Sequence, residues 1–305
     1  MFLKKNNFSS FHNLNADKGL TKFKKINWLF YNFINNAFSL STDWKLKINN
    51  DYYRSMNIKR IEKHDTSTPA RYVSDSFWTS VDWKRLRKDL CEDIHAVEVG
   101  CGGGKYAKVI LENLNDDLHS YTGIDHKANS NWKNFSAEKK ISFQVADSAQ
   151  IGNILNDKNL IITQSALEHF DQDIVFMKSI NQHVLKYKKP VAQIHLMPSP
   201  ACLYKYLWHG VRQYNPRTVS KLTKIFDENT TRELIPLGGK NCNKVHRKFI
   251  TYPLLFKNTD RRFDRNADYI KSLNKALIAD KKTKKPKASF YALVMYSNFF
   301  TKNKN

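Results

Sequence analysis

The chain has 305 residues, 41% of them hydrophobic, and 51 Lys and Arg stand against 28 Asp and Glu, a formal charge of +23. That length fits one elaborated domain, or one domain with an appendage, and is ample for a buried core. The four cysteines form no C-x-x-C pair, which argues against a zinc site or a disulfide framework, and no apolar run of about 18 residues is available to span a membrane.

The charge would attract polyanions such as nucleic acid or anionic lipid. The lysines are dispersed, however, and no recognised nucleic-acid module appears, so a solvated lysine- and asparagine-rich surface is the favoured reading. The opening Met1-Phe2-Leu3-Lys4-Lys5 lacks a signal peptide's apolar region, and a reducing, cytoplasmic location is expected.

Residues 1–65 read as a basic, partly helical N-terminal extension, of which 1–26 lack periodicity and are expected to be poorly ordered. Within 28–40, Phe30, Phe33, Ile34, Ala37 and Phe38 recur at helical intervals. Packing on the chain's own domain is the favoured reading of this stripe. With Lys22, Lys24 and Lys25 upstream, the alternative is a peripheral membrane contact through residues 21–40. Residues 66–305 form the main domain, beginning with a segment rich in aromatics. Tyr72, Phe77, Trp78 and Trp83 there suit either the walls of a lid or ordinary helix packing.

Residues 95–106 organise the main domain. Ala96, Val97 and Val99 suit a buried parallel strand, Gly100, Gly102, Gly103 and Gly104 a turn with close backbone approach, and Lys105–Leu114 a helix. Such a turn aims N–H groups and a helix N-terminus at a bound polar group. A strict G-x-G-x-x-G fingerprint fails because Lys105 occupies its last position, and no G-x-x-x-x-G-K-[ST] loop is present. A second strand over 120–125 ends in Asp125, about 20 residues beyond the turn, where nucleoside-binding α/β units place a ribose-binding acid. A third, over 143–148, ends in Asp147, which also suits a helix cap. Residues 160–170 read as an apolar strand running into a helix. Asp173–Tyr187 then reads as a helix, and 190–196 as a fifth strand. Asn215 and Pro216 start a further helix reaching Phe226. Residues 231–237, 269–279 and 289–296 read as strand, helix and closing strand. The segment before the last carries Arg261, Arg262, Arg265 and a lysine run over 281–287 that solvates a loop or holds a phosphate-bearing acceptor.

Glu98-x-Gly100-x-Gly102-x-Gly104, together with Asp125, Asp147 and the Leu167-Glu168-His169 stretch, resembles the ordered motifs of class I S-adenosylmethionine-dependent methyltransferases, over about 71–226 and the last strand. The resemblance implies a Rossmann-like, seven-stranded, mostly parallel sheet with helices on both faces and an antiparallel last strand. It implies S-adenosyl-L-methionine as cofactor, held by Glu98, Gly100, Cys101, Gly102, Gly104, Asp125, His126, Asp147, Ser148 and Gln164. Acceptor-side insertions are expected at about 197–230 and 239–287. The first of these resembles a segment of methyltransferases associated with bacterial surface-polysaccharide pathways, which implies O-methylation of a small-molecule or glycan-precursor acceptor.

A hydroxyl acceptor benefits from a general base, and His169, His195 and His209 fall near the expected mouth of the site. Glu168 and His169 also resemble a pair that contributes to metal binding in some ubiquinone-pathway O-methyltransferases. Two ligands do not make a site, and no metal is assigned. Two other classes stay open. An RNA methyltransferase would use the positive charge, although an Asn/Asp-Pro-Pro-Tyr pattern is absent from the fourth motif. A non-catalytic scaffold should have lost cofactor residues, which are intact here.

Overall fold

The computed structural model describes residues 8–62, 64–284 and 287–299. The chain opens with α1 (Lys22–Ala37), β1 (Leu46–Ile48), α2 (Asn50–Ser55), α3 (Pro69–Ser80) and α4 (Trp83–Leu90). There follow β2 (Ile94–Val99), α5 (Lys105–Leu114), β3 (Leu118–Asp125), β4 (Ile141–Val145), β5 (Leu160–Gln164), α6 (Asp173–Tyr187) and β6 (Val191–Pro198), with only 3-10 turns between β3, β4 and β5. The remainder is α7 (Pro216–Thr223), β7 (Thr230–Leu237), α8 (Lys240–His246), a π-helical turn (Arg247–Thr251), α9 (Tyr252–Lys257), α10 (Arg261–Asp264), α11 (Asn266–Lys281) and β8 (Phe290–Ser297).

The strands form one sheet in the order β1-β7-β8-β6-β5-β2-β3-β4, with β8 antiparallel to both its neighbours and the other pairs parallel. This is the Rossmann-like arrangement expected, with one addition. All seven expected strands are present, and β1 from the N-terminal segment adds an eighth at the edge, pairing Leu46 with Arg232. Central strands β5 and β6 are buried along their length, as continuous apolar runs between two helical layers must be. The period of two separates the cores. Ala96 faces the cluster containing Phe77, Ile110 and Leu273, whereas Val97 faces the one containing Phe176, Ile180 and Leu222.

The strand order reverses at β2, which sends β3 and β4 to one side and β5 and β6 to the other, and opens a crevice at the carboxyl ends of β2 and β5. Two boundaries there differ from expectation. β4 stops at Val145, and Asp147 caps the following 3-10 turn through Ala149 N–H at 2.8 Å instead of ending the strand. After β5 no helix begins directly. Ser165 takes a left-handed φ of 51°, and only the short turn Leu167–His169 precedes α6. Phe77, Trp78 and Trp83 are buried in the core, with Trp78 stacked on Trp83 at 6.1 Å, so these aromatics pack the helices rather than wall a lid.

The N-terminal segment corrects two expectations. Residues 9–20 are not loose. Ser10 N–H donates to Asp173 Oδ1 at 2.7 Å, Arg212 Nη2 donates to His12 O at 2.6 Å, and Arg212 and Asp173 form a fully buried ion pair at 2.9 Å. The apolar stripe of α1 does not pack on the domain either. Trp28, Asn32 and Asn35 face inward, while Phe30 and Phe33 face out. Of the basic run over 281–287, Lys281 reaches Met56 O at 2.6 Å, and Lys285 and Pro286 lie outside the described residues. Among the described residues no helix is long and apolar enough to cross a membrane.

Candidate functional site

The glycine turn after β2 is shaped for close approach. Gly100, Gly102 and Gly104 all have positive φ, at 80°, 53° and 81°. A Cβ on Gly100 would lie 2.3 Å from Ala166 Cβ, and one on Gly104 would lie 2.8 Å from Phe143, whereas one on Gly102 would meet nothing within 4 Å. Two glycines are therefore demanded by neighbouring chain, and Gly102 leaves space for something else. Gly102 N–H donates to Asp125 Oδ2 at 2.8 Å, and His126 Nδ1 lies 2.7 Å from Asp125 Oδ1, so the strand-end acid braces the turn. Trp132 Nε1 donates to Gly102 O at 2.8 Å and its ring stacks on Phe143 at 5.2 Å, which bounds this half of the crevice.

Glu98 lies beneath the turn, almost wholly buried, and accepts from Tyr121 Oη. Burial pushes its carboxyl up to about 8, although the Tyr121 hydrogen bond and the Arg71 charge oppose the rise. Arg71 is set by the start of α3, where Thr68 caps the helix and Pro69 occupies its first turn. It also bonds Tyr106 Oη, and Tyr106 in turn donates to Asp75 Oδ1 at 2.6 Å, so α3 is tied to the helix that follows the glycines.

Beside the turn lies a cavity of about 330 Å³, lined by Arg71 and Ser74 of α3, Ser165, Glu168 and His169 after β5, and Tyr206, His209 and Gln213 after β6. Two buried polar atoms at it, Ser74 Oγ and Glu168 Oε2, have no hydrogen-bond partner among the described residues. Buried groups of this kind ordinarily are paired, so both suit a ligand. Burial raises the Glu168 carboxyl to about 7, with nearby His169 opposing.

His169 Nδ1 lies 2.6 Å from Asp17 Oδ2, and Gly210 N–H donates to Asp17 Oδ1 at 3.1 Å. Burial alone would raise the Asp17 carboxyl, but the bonds from His169 and Gly210 take it below its ordinary value. The His209 ring packs edge-on to His169 with centroids 4.8 Å apart, and burial lowers its pKa. A Glu168 oxygen and ring nitrogens of His169 and His209 lie within 4.8 Å of one another, one oxygen and two nitrogens of a kind a divalent transition metal accepts. The sequence offered Glu168 and His169 alone as ligands; the fold adds His209.

The remaining sequence candidates divide. Cys101 is buried in the turn, and Gln164 at the end of β5 accepts from Trp78 Nε1 at 2.8 Å. Asp147 and Ser148 stand together at the 3-10 turn after β4. His195 does not join the cavity. It lies inside the sheet at 0% exposure, with Nδ1 3.0 Å from Thr163 Oγ1, and burial lowers its pKa to about 3. Sequence reasoning missed Asp17, Ser74 and Trp132. Asp17 stands in a stretch without periodicity, so no pattern could have flagged it. A tryptophan six residues beyond His126, in a polar loop, was the available signal for Trp132.

No family model matches the chain, and no curated protein matches it. Similar solved structures include the methyltransferase domain of the bacterial CtHen1-CN, at 11% identity over 74% of this chain and 99% of that one, with a TM-score of 0.45. The plantazolicin methyltransferase BamL, solved with a triazolic desmethylPZN analog and SAH, is similar at 13% identity over 74% and 90%, with a TM-score of 0.41. The [4+2]-cyclase SpnF is similar at 11% identity over 70% and 79%, also with a TM-score of 0.41. These are likenesses of chain path among proteins whose named activities differ.

Proposed function

We propose that the protein is an S-adenosylmethionine-dependent methyltransferase that O-methylates a small-molecule acceptor, a sugar or glycan precursor. The observation that carries this reading is the contact between the two half-sites. The glycine turn presses against Ala166, two residues before the Glu168–His169 pair, so a crevice built for a nucleoside opens onto a cavity of small-molecule size.

Bound there, S-adenosylmethionine would supply an electrophilic sulfonium methyl group. Gly102, Asp125 and Glu98 are the groups suited to hold it. Asp125 would exchange its bonds to Gly102 and His126 for ribose hydroxyls, and the buried Glu98 acid would face a positively charged ligand. His169 takes the proton of the acceptor hydroxyl on Nε2, because Asp17 engages Nδ1 and so fixes tautomer and ring orientation. Arg71, Ser74 and Gln213 offer donors and acceptors matched to a polyhydroxylated acceptor. The enclosing α3 and the 197–213 segment exclude water and hold the acceptor oxygen in line.

One observation favours RNA as a second acceptor reading. Lys244, Arg247, Lys248, Lys257 and Arg261 surround Tyr252 and Phe256 in a groove of about 490 Å³, the pairing of charge and stacking surface that single strands use. Calorimetric titration with S-adenosylmethionine and S-adenosylhomocysteine, with Asp125→Ala alongside, tests the main proposal. Micromolar binding that the variant loses supports it, and turnover is then sought with nucleotide sugars and RNA. No binding by folded wild-type protein overturns it in favour of a scaffold.

A further inference from the structure

Helix α1 is built inside out. Its inward face is Trp28 and two asparagines, all donating to backbone carbonyls: Asn32 Nδ2 to Val211 O at 3.2 Å, Asn35 Nδ2 to Gln213 O at 2.9 Å, and Trp28 Nε1 to Gly210 O at 3.1 Å. Docking on a run of backbone carbonyls requires donors, and the asparagines supply them. The apolar residues are left on the other side. Phe23, Ile26, Phe30 and Phe33 are 72%, 64%, 59% and 58% exposed. Their spacing of three, four and three residues forms one stripe down the helix. The stripe continues beyond α1, because Ile26, Phe30 and Phe33 share a shallow apolar groove with Leu207, and Lys25 Nζ sits 5.2 Å above the ring of Trp208.

An apolar surface of this extent marks an interaction site. Its charge says which. α1 carries Lys22, Lys24 and Lys25, all exposed, and no acidic residue, on a chain of net charge +23. Phenylalanine and tryptophan flanked by lysine suit the boundary between headgroups and acyl chains of a negatively charged membrane. A two-fold interface between copies would bury this face with no acidic residue of α1 to pair its lysines and is disfavoured.

We propose that the outer face of α1, together with Tyr204, Leu207 and Trp208, docks on an anionic lipid bilayer. Trp208 immediately precedes His209, which lines the acceptor cavity, so docking brings the edge of that cavity to the lipid surface. Only this last point rests on the proposed reaction. Docking itself follows from the surface.

The test is co-sedimentation of the full chain with vesicles of phosphatidylcholine alone and of phosphatidylcholine mixed with phosphatidylglycerol. Binding to the mixed vesicles, weakened by salt, is expected. It should fall about tenfold or more in Phe30→Ser/Phe33→Ser and in Lys24→Glu/Lys25→Glu. Melting temperature and S-adenosylhomocysteine binding should be unchanged in both, since the side chains replaced are exposed. Absent cofactor binding would thus strike the methyltransferase reading and leave the vesicle result standing. The proposal is overturned if wild-type protein ignores both vesicles, or if the Phe30→Ser/Phe33→Ser variant binds as well as wild type. Light scattering that shows a dimer dissolved by that variant would likewise overturn it, by making the face a contact between copies.

Discussion

Asp17 and His169 stand 152 residues apart in the chain, yet Asp17 Oδ2 is 2.6 Å from His169 Nδ1. The N-terminal segment therefore completes the candidate active site rather than decorating it. Replacing Asp17 with Asn keeps the shape but loses the charge that stabilises the imidazolium. We expect kcat to fall by about 10- to 100-fold with cofactor affinity unchanged, read by steady-state kinetics beside calorimetry. Equal loss of cofactor binding would place Asp17 in a structural role instead.

The histidines should separate by what they touch. His169→Gln is expected to lower kcat by about 10²- to 10⁴-fold while leaving melting unaffected, as loss of a general base requires. His195 bonds Thr163 inside the sheet, so His195→Gln should lower the melting temperature and change kcat little. Paired melting curves and rates for the two variants check both statements.

The glycines offer a similar contrast. An alanine at Gly100 meets Ala166 Cβ at 2.3 Å and must also adopt a φ of 80°, so Gly100→Ala should cost about 3 kcal/mol of stability. Gly102→Ala meets no neighbour and bears only the left-handed strain of about 1–2 kcal/mol, yet its methyl would enter the space that the proposed cofactor would occupy. Denaturant melts should rank Gly100→Ala as the less stable. Calorimetry should find S-adenosylmethionine binding abolished in folded Gly102→Ala protein.

Glu98 predicts a pH signature. Its native carboxyl titrates near 8, above the ordinary value of 4.5, so the unfolded chain releases this proton first. Its contribution to stability is present below pH 4.5 and is lost as the pH rises toward 8. Glu98→Gln cannot ionise. Its stability relative to wild type should therefore improve from pH 5 to pH 8, by about 3 kcal/mol, while cofactor affinity drops. A stability difference that is flat with pH would show that Glu98 is ionised normally in the native state.

Arg212 holds the N-terminal segment through Ser9 and His12 and pairs with Asp173 out of contact with water. Removing one member strands the other. Arg212→Ala should cost about 3–5 kcal/mol and make residues 8–20 accessible to limited proteolysis. Protection equal to wild type would mean that Asn15, through Asp171 and the carbonyl of His169, suffices to hold the segment.

The order of residues alone specifies the sheet's central strands, the glycine turn and the strand-end acid Asp125, because these depend on local rules. A buried parallel strand needs a continuous apolar run, a turn under close contact needs glycine, and both are written within a few residues. It specifies α6 to the residue, Asp173–Tyr187, since apolar periodicity over a long helix leaves few alternatives. It does not specify what meets across the fold. Which histidine faces the cavity depends on β6 being covered on both faces, which buries His195 against Thr163 of β5, and on the turn that carries His209 back to His169. Nor can periodicity say which face of α1 is covered. It reports an apolar stripe, but the carbonyls of 210–213 select the asparagine face by hydrogen bonding, and those carbonyls reach the helix only once the chain has folded.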